Sequence, residues 1–315
     1  MPNDDLQRAI AIGQKNAETV LARRQVARNR RAQALAVHPS KLMMGVTSKA
    51  ANTAPPTARE TAGFLVAMGD SWFDYPLWDI LKLLEDNYGY DIESAAHRGD
   101  PIESMAYQGG QLDKLARCFE KLSDRGATPE AVLVSGGGDD IAGTEFGMLL
   151  NSAESNISGW NSEIVDGVIN QRILNAYGAT AQGINSLAVK YVGKTIPILV
   201  HGYDYPVPDG RGFLGGWGPL PGPWLQPGFR EKLFEDLLGT VTMMRDIIDR
   251  FYDMLKTFAS DGTFANVHIV DLRNTLSTDL NNDAYKSWWG NELHPTDQGF
   301  EAVTDKFAAA LRALA

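Results

Sequence analysis

Short runs of apolar residues alternate with longer amphipathic stretches from residue 64 to the end of the chain. Most of these runs are apolar throughout, which is typical of strands buried on both faces of a sheet. They predict five strands, at residues 64–68, 90–94, 131–135, 196–200 and 267–271. The stretches between them carry apolar residues at helical spacing and predict helices near residues 77–87, 102–122, 164–192, 231–258 and 297–314.

Alternation of strands and helices indicates parallel strands that are joined by right-handed crossovers. We therefore expect an α/β fold, a three-layer sandwich built around a five-stranded parallel sheet. Ligands of such sheets bind beyond the carboxyl ends of the strands. Polar residues that directly follow an apolar run are therefore the candidates for a functional site.

The first 60 residues have a different character from the rest. Residues 4–36 are rich in Ala, Arg, Gln and Leu and predict a helix, whereas residues 45–62 are small, polar and proline-containing and predict a linker. We expect a basic helical extension with its linker over residues 1–62 and a second domain over residues 63–315. The pattern leaves open whether the extension docks on that domain, binds a protein partner or hangs free.

Charge and composition narrow the classes of partner. The 315 residues carry a net charge of −10, of which the first 60 contribute +6 and the remainder −16. Such an acidic body argues against nucleic acid as the ligand.

Cys118 is the only cysteine, which excludes an intrachain disulfide. No apolar run approaches the ~20 residues that a transmembrane helix needs, and no secretory leader is evident. We expect a cytoplasmic protein by default, with export by a route without a cleavable signal left open.

Four polar motifs stand where the ligand of a parallel sheet would bind. They are Gly69-Asp70-Ser71 after the first strand, Gly99 after the second, Gly136-Gly137-Gly138-Asp139 after the third, and His294-Pro295 before the last helix. A serine on an early strand–helix turn and a histidine before the final helix can meet across the carboxyl edge of the sheet. Serine then supplies a nucleophile, histidine takes its proton, and backbone N–H groups stabilise the oxyanion.

The order of Ser71, Gly99, Asp139 and His294 resembles that of the SGNH (GDSL-like) hydrolase family over about residues 64–314. The resemblance implies a flavodoxin-like sheet and hydrolysis of carboxylic esters through an acyl-enzyme, without a cofactor or metal. It assigns Ser71 as the nucleophile and His294 as the general base, with the N–H groups of Ser71 and Gly99 in the oxyanion hole. The substrate would be a small-molecule, lipid or glycan ester.

Two positions depart from the pattern of the family. Asp139 stands where the family has an asparagine, and an ionised carboxylate cannot donate a hydrogen bond to an oxyanion. Either Asp139 is held protonated, or another donor serves, or the site is weakened. The acidic residue of the family falls on Asn291, which can orient His294 but brings no charge. Glu292 next to it, or a backbone carbonyl, could take that role instead.

A loop over residues 203–230 is rich in glycine, proline and aromatic residues and follows the fourth predicted strand. It either walls the pocket for the acyl or leaving group or packs as a plain Ω-loop over the end of the sheet. Tyr203, Tyr205, Trp217 and Trp224 are candidates for its wall. We expect Tyr203 and Trp217 to contact the substrate.

Two other classes of function compete with a serine hydrolase. A metal-dependent phosphoesterase could use a cluster of carboxylates and imidazoles. Its candidate ligands are Asp70, Asp74, Asp139, Asp140, Asp204, His201 and His294. No tight His-x-His or His-Glu-x-x-His spacing supports that alternative. The departures at Asp139 and Asn291 also leave open a non-catalytic binding module on a hydrolase fold.

Overall fold

The computed structural model describes residues 2–37, 61–76, 78–143, 145–216 and 220–314. The strands are β1 Gly63–Gly69, β2 Tyr90–Ser94, β3 Pro129–Ser135, β4 Leu150–Asn151, β5 Gly159–Trp160, β6 Ile198–His201 and β7 Val267–Val270. The helices are α1 Pro2–Val37, α2 Ile80–Tyr88, α3 Ile102–Tyr107, α4 Gly110–Asp124, α5 Ser162–Asp166, α6 Leu174–Val192, α7 Gln226–Glu231, α8 Leu237–Ser260 and α9 Asp297–Leu314. A π-helical turn, Gly167–Ile173, joins α5 to α6, and short 3₁₀ turns cover Phe146–Leu149, Phe213–Gly215 and Asn281–Ser287.

Five strands form the central sheet in the order β2-β1-β3-β6-β7, and every neighbouring pair is parallel. The chain moves one way along the sheet from β1 to β2 and the opposite way from β2 onward. Right-handed crossovers therefore place α2 on one face of the sheet and α4, α6 and α8 on the other. Helix α9 packs against α2 and completes the first face. The predicted three-layer α/β sandwich with a five-stranded parallel sheet is confirmed.

The connections that follow the neighbouring strands β1 and β3 lead toward opposite edges of the sheet, so the topological switch point lies between these two strands. Loops that leave neighbouring strands toward opposite faces open a crevice at the carboxyl edge, which is where ligands bind in such sheets. The Ser71 turn follows β1, and the Asp139 turn follows β3. Topology alone thus brings the first and third polar motifs to the same crevice.

Two predicted helices differ from those in the structure, one in its continuity and one in its start. The helix predicted over residues 102–122 consists of α3 and α4, because Gly109 takes a left-handed conformation with φ of 73°. The helix predicted over residues 231–258 begins only at Leu237, where the side chain of Asp236 caps the free N–H groups of the first turn. Local capping and turn residues determine these helix boundaries, which the spacing of apolar residues does not predict.

Helix α1 docks on the body of the protein. Its buried side chains, Leu6, Ala9, Ala17 and Val20, recur on one face and pack against α6, with further contacts to α4. Arg24 forms an ion pair with Glu120 of α4, and the amide of Asn16 donates to the carbonyl of Ala106 at 3.1 Å.

The predicted linker over residues 45–62 falls mostly outside the described residues, and the division into two domains stays a prediction. Among the helices of the described ranges, none is both long enough and apolar enough to cross a membrane.

Candidate active site

The side chains of Ser71 and His294 meet at the carboxyl edge of the sheet. Ser71 lies in the turn that follows β1, and His294 lies in the loop that leads into α9. Oγ of Ser71 is 2.7 Å from Nε2 of His294. Only 6% of His294 is exposed. The structure therefore brings a hydroxyl and a buried imidazole into direct hydrogen-bonding contact, although 223 positions separate them in the chain.

Asn291 fixes which nitrogen of His294 carries the proton. The amide oxygen of Asn291 accepts the backbone N–H groups of Leu293 and His294, each at 2.9 Å, so the oxygen and the nitrogen of this amide are distinguishable. The same oxygen lies 3.0 Å from Nδ1 of His294. Because that oxygen can only accept, Nδ1 carries the hydrogen, and the lone pair of Nε2 is left to accept the hydroxyl hydrogen of Ser71.

Glu292 has a different role from the one considered for it above. Its fully buried carboxylate accepts four backbone N–H groups of the 203–230 loop and makes no hydrogen bond to His294. The four donors are Gly210, Trp224, Leu225 and Gln226. Burial raises the pKa of this carboxyl, and the four donors oppose that shift. Glu292 anchors the loop, and Asn291 is the side chain that orients His294.

Aromatic rings hold the imidazole of His294 in place. Tyr75 stacks on it, with ring centroids 4.5 Å apart and an interplanar angle of 25°, and Trp224 meets it edge-on at 5.7 Å. The hydroxyl of Tyr75 also accepts the amide N–H of Asn291 at 3.1 Å. Burial raises the pKa of Tyr75 to about 12, so its hydroxyl stays neutral. Sequence reasoning missed Tyr75, whose only signal was its place four residues after Ser71.

The expected oxyanion donors have no acceptor in the described part of the chain. Among the described residues, neither the Ser71 N–H nor the Gly99 N–H makes a hydrogen bond. Gly99 has φ of 79°, a conformation that favours glycine. The carboxyl of Asp139 likewise has no hydrogen-bond partner in the described part of the chain. Burial, together with the negative charges of Asp70, Asp140 and Asp100, raises the pKa of Asp139 to about 7.

The three glycines before Asp139 serve close packing. A Cβ on Gly136 would lie 2.8 Å from Ile102, one on Gly137 2.6 Å from Phe251, and one on Gly138 2.9 Å from Tyr203. Those distances are shorter than side chains tolerate. The run of glycines therefore lets the turn that carries Asp139 lie flat between α3, α8 and the loop after β6.

A buried polar network lies beneath the turn of Ser71. The Tyr203 N–H donates to Nδ1 of His201, so Nε2–H of His201 donates to Ser135, whose hydroxyl donates in turn to Asp70 at 2.6 Å. The hydroxyl of Tyr203 donates to the other oxygen of Asp70 and accepts the Gly138 N–H at 3.0 Å. Burial lowers the pKa of His201 to about 3 and raises the pKa of Asp70. The network links the turn of Ser71 to the turn of Asp139.

An apolar pocket opens beside Ser71. Its walls come from the turn after β3, the 203–230 loop, the approach to α9 and one side of α8. The apolar lining consists of Ile141, Ala142, Leu225, Met244, Ile247, Ile248, Phe251, Trp289 and Leu293. Tyr203 also lines the pocket, whereas the hydroxyl of Tyr205 binds Asp249 on α8 at 2.8 Å. Trp217 lies outside the described residues.

Most carboxylates and imidazoles of the metal alternative are engaged in hydrogen bonds within the protein. Asp204 accepts the N–H groups of Tyr205, Asn274, Thr275 and Leu276, and Asp140 accepts those of Ile102 and Glu103. Asp74 accepts from Arg98. Within the described ranges, no three His, Cys, Asp or Glu side chains group in a way that could hold a metal ion.

Comparisons with known proteins find similarity only among solved structures. No family model matches the chain, and no curated protein matches it. The lipase Lip_vut3 from a goat rumen metagenome is 14% identical, with a TM-score of 0.47, over 79% of this chain and 97% of that one. A protein of Parabacteroides merdae, provisionally named a GDSL-like lipase, is 11% identical with a TM-score of 0.42, over 83% and 100%. A variant of the acetylxylan esterase Axe2 from Geobacillus stearothermophilus is 12% identical with a TM-score of 0.41, over 80% and 94%.

Proposed function

We propose that this protein is a serine hydrolase of carboxylic esters, with Ser71 as the nucleophile and His294 as the general base. The observation that carries the proposal is the 2.7 Å contact between Oγ of Ser71 and Nε2 of His294. The orientation of Asn291 supports it, because the amide leaves the lone pair of Nε2 directed at the hydroxyl. Both groups lie at the crevice where this sheet topology binds ligands.

The reaction runs in two halves. In the first, Oγ of Ser71 attacks the ester carbonyl carbon as its proton passes to Nε2 of His294. The imidazolium then returns that proton to the alcohol oxygen, the C–O bond breaks, and the acyl group remains on Ser71. In the second, a water molecule loses a proton to Nε2 and attacks the acyl carbon. The bond between that carbon and Oγ of Ser71 then breaks as the imidazolium returns the proton to Oγ, which releases the carboxylic acid and restores the hydroxyl of Ser71.

His294 is neutral over an unusually wide pH range. Its burial lowers the pKa of the imidazole to about 3, so the base form is available at neutral and at mildly acidic pH. When His294 takes the proton of Ser71, the oxygen of Asn291 accepts from Nδ1–H as a neutral dipole. A dipole orients the imidazolium but stabilises it less than a carboxylate would.

Asp139 acts in the oxyanion hole through its protonated form. With a pKa of about 7, a large fraction of the Asp139 carboxyls carries a proton at neutral pH. A neutral carboxyl can donate its O–H, as the family's asparagine donates its N–H, and join the N–H groups of Ser71 and Gly99 around the developing oxyanion. Enzymes elsewhere keep a carboxylic acid neutral for this purpose by burying it.

The proposal is tested with p-nitrophenyl esters and the Ser71→Ala protein. We expect Ser71→Ala to lower kcat by about 10⁴-fold or more, since removal of a catalytic nucleophile leaves only the contribution of binding and the oxyanion hole. Ser123→Ala, an exposed serine of α4, is the matched control and should keep full activity. A fluorophosphonate probe should label the wild type, and mass spectrometry should place the label on Ser71.

Each competing function has its own outcome in this experiment. Hydrolysis that survives Ser71→Ala but is lost after chelation would point to a metal-dependent enzyme. A folded protein that neither hydrolyses esters nor takes the probe at Ser71 would be a binding module. Either result would overturn the serine-hydrolase proposal.

A further inference from the structure

The apolar pocket beside Ser71 offers almost nothing to a polar ligand. The polar groups in its lining are already satisfied within the protein: Asp204 by backbone N–H groups, Tyr203 by Asp70 and Gly138, and the indole of Trp72 by the carbonyl of Leu293. Two groups lack a partner among the described residues, the carboxyl of Asp139 and the buried indole N–H of Trp289. Two groups cannot replace the water around a sugar or a peptide, so burial of such a ligand here is unfavourable.

The position of His294 tells which part of an ester this pocket holds. The alcohol oxygen of the substrate must come within hydrogen-bonding reach of Nε2 of His294, because that nitrogen protonates it. Ser71, Gly138 and Asp139 line the pocket, whereas His294 does not. The leaving group therefore lies on the other side of Ser71, near His294 and Trp224. The pocket is left for the acyl group.

We propose that this pocket binds the hydrocarbon chain of the acyl group, so that esters with acyl chains longer than acetyl are the preferred substrates and acetate esters are poor substrates. This inference rests on the proposed function and extends it to a substrate class. Each methylene that moves from water into an apolar site strengthens binding about fourfold. Acetylated carbohydrates thereby become the least favoured of the substrate classes considered above, and lipids and other acyl esters the most favoured.

Helix α8 forms the main wall of the proposed acyl site. Met244, Ile247, Ile248 and Phe251 face the pocket from two successive turns of the helix. Ala142, in the turn after β3, also lines the pocket. A larger side chain at Ala142 should fill the pocket without loss of any hydrogen bond, and a smaller one at Met244 should lengthen it.

The test measures kcat/KM for p-nitrophenyl acetate, butyrate, hexanoate and octanoate. For the wild type we expect hexanoate to exceed acetate by at least tenfold. Ala142→Leu should lower the value for hexanoate at least tenfold and leave that for acetate within about threefold. Met244→Ala should move the optimum toward octanoate. Leu238→Ala is the matched control, because this residue of α8 is 64% exposed and lies outside the pocket.

A second measurement separates the acyl site from the catalytic proposal. Calorimetry on the folded Ser71→Ala protein should show p-nitrophenyl hexanoate binding at least tenfold more tightly than the acetate, and Ala142→Leu in that background should remove the difference. Equal binding of the two esters, or equal rates for them in the wild type, would overturn the acyl site even if Ser71 is the nucleophile. Chain-length-dependent binding without any Ser71-dependent hydrolysis would uphold the site and overturn the proposed function.

Discussion

The amide oxygen of Asn291 lies 3.0 Å from Nδ1 of His294, in the place where a carboxylate would complete a charged triad. Two backbone N–H groups hold that oxygen, and the hydroxyl of Tyr75 accepts from the other end of the amide. The orientation of His294 is thus secured by neutral groups alone. Burial without a neighbouring negative charge also explains why the pKa of His294 is lowered to about 3.

Asn291→Asp should raise the pKa of His294. A carboxylate next to Nδ1 favours the imidazolium, typically by 1–3 pKa units, so the acid limb of kcat/KM should move from about pH 3 to a higher pH. Activity at pH 8 should equal or exceed that of the wild type. Initial rates from pH 3 to 8 measure the shift, with circular dichroism to define the range in which the chain is folded.

The companion variant Asn291→Ala removes the acceptor and should lower kcat by about 10²–10⁴-fold, because His294 then loses its defined tautomer. An acid limb that stays in place in Asn291→Asp would mean that residue 291 does not face the imidazole in solution.

Asp139→Asn should change the alkaline limb. In the wild type, kcat/KM should fall as Asp139 ionises near pH 7, whereas the amide of the variant donates at every pH. Asp140→Asn serves as a second variant. It removes one of the negative charges that raise the pKa of Asp139, so it should move the alkaline fall to a lower pH. Identical profiles of the wild type and Asp139→Asn would exclude Asp139 from the oxyanion hole.

Asp139→Asn should also make the protein more stable relative to the wild type as the pH rises. The pKa of Asp139 is raised in the folded state from 3.8 to about 7, so ionisation opposes folding, and stability is lost as the pH rises through that interval. Asp139→Asn abolishes this loss. The Tm difference between variant and wild type should therefore grow in favour of the variant from pH 4 to pH 8, as measured by calorimetry. A difference that is constant over this range would contradict the raised pKa.

Glu292→Gln should weaken the protein without altering the titration of His294. An amide has only one accepting oxygen, so its NH2 group would face two of the four N–H groups of the 203–230 loop without accepting from them, and the free energy of unfolding should fall by about 1–3 kcal/mol. Denaturant titration measures the loss, and Glu231→Gln, at an exposed site, is the control. If the acid limb moved as well, Glu292 would be acting on His294 electrostatically.

Tyr203→Phe should lower kcat more than it changes KM. The lost hydroxyl leaves Asp70 and the Gly138 N–H each without one partner, which should destabilise the fold by about 1–3 kcal/mol and loosen the turn that carries Asp139. Tyr205→Phe removes a hydroxyl that binds Asp249 instead and should leave kcat unchanged. A drop in Tm with unaltered kcat in Tyr203→Phe would reduce the network to a structural role.

Much of the fold could be predicted because the three central strands, β1, β3 and β6, are mainly apolar and buried, which leaves a signal in nearly every residue. All five predicted strands lie within two residues of those observed, although the edge strands β2 and β7 carry polar and partly exposed residues. Ser71 and His294 could be paired from chain order, because topology carries the ends of parallel strands to one edge. Boundaries such as that before Leu237 depend on a single cap and were placed less well.

The remaining features of the site depend on contacts between distant parts of the chain. Nothing local distinguishes Asn291 from Glu292 as the partner of His294, and only the folded loop shows that Glu292 is occupied by four N–H groups. The pocket wall from α8 was not predicted, because the same apolar face would equally serve as plain core. Stacking of Tyr75 on His294 likewise depends on how α9 approaches the sheet.

The docking of α1 bears on how this protein can be dissected. Leu6 fits against Gly178, and Gly13 approaches Ala179 so closely that a Cβ there would lie 2.2 Å from its carbonyl oxygen. A fragment that starts after residue 60 would expose this apolar surface of α6 to water, and exposed apolar patches promote self-association. Helix α1 thus covers an apolar face of α6, and a chain shortened by this helix is expected to self-associate.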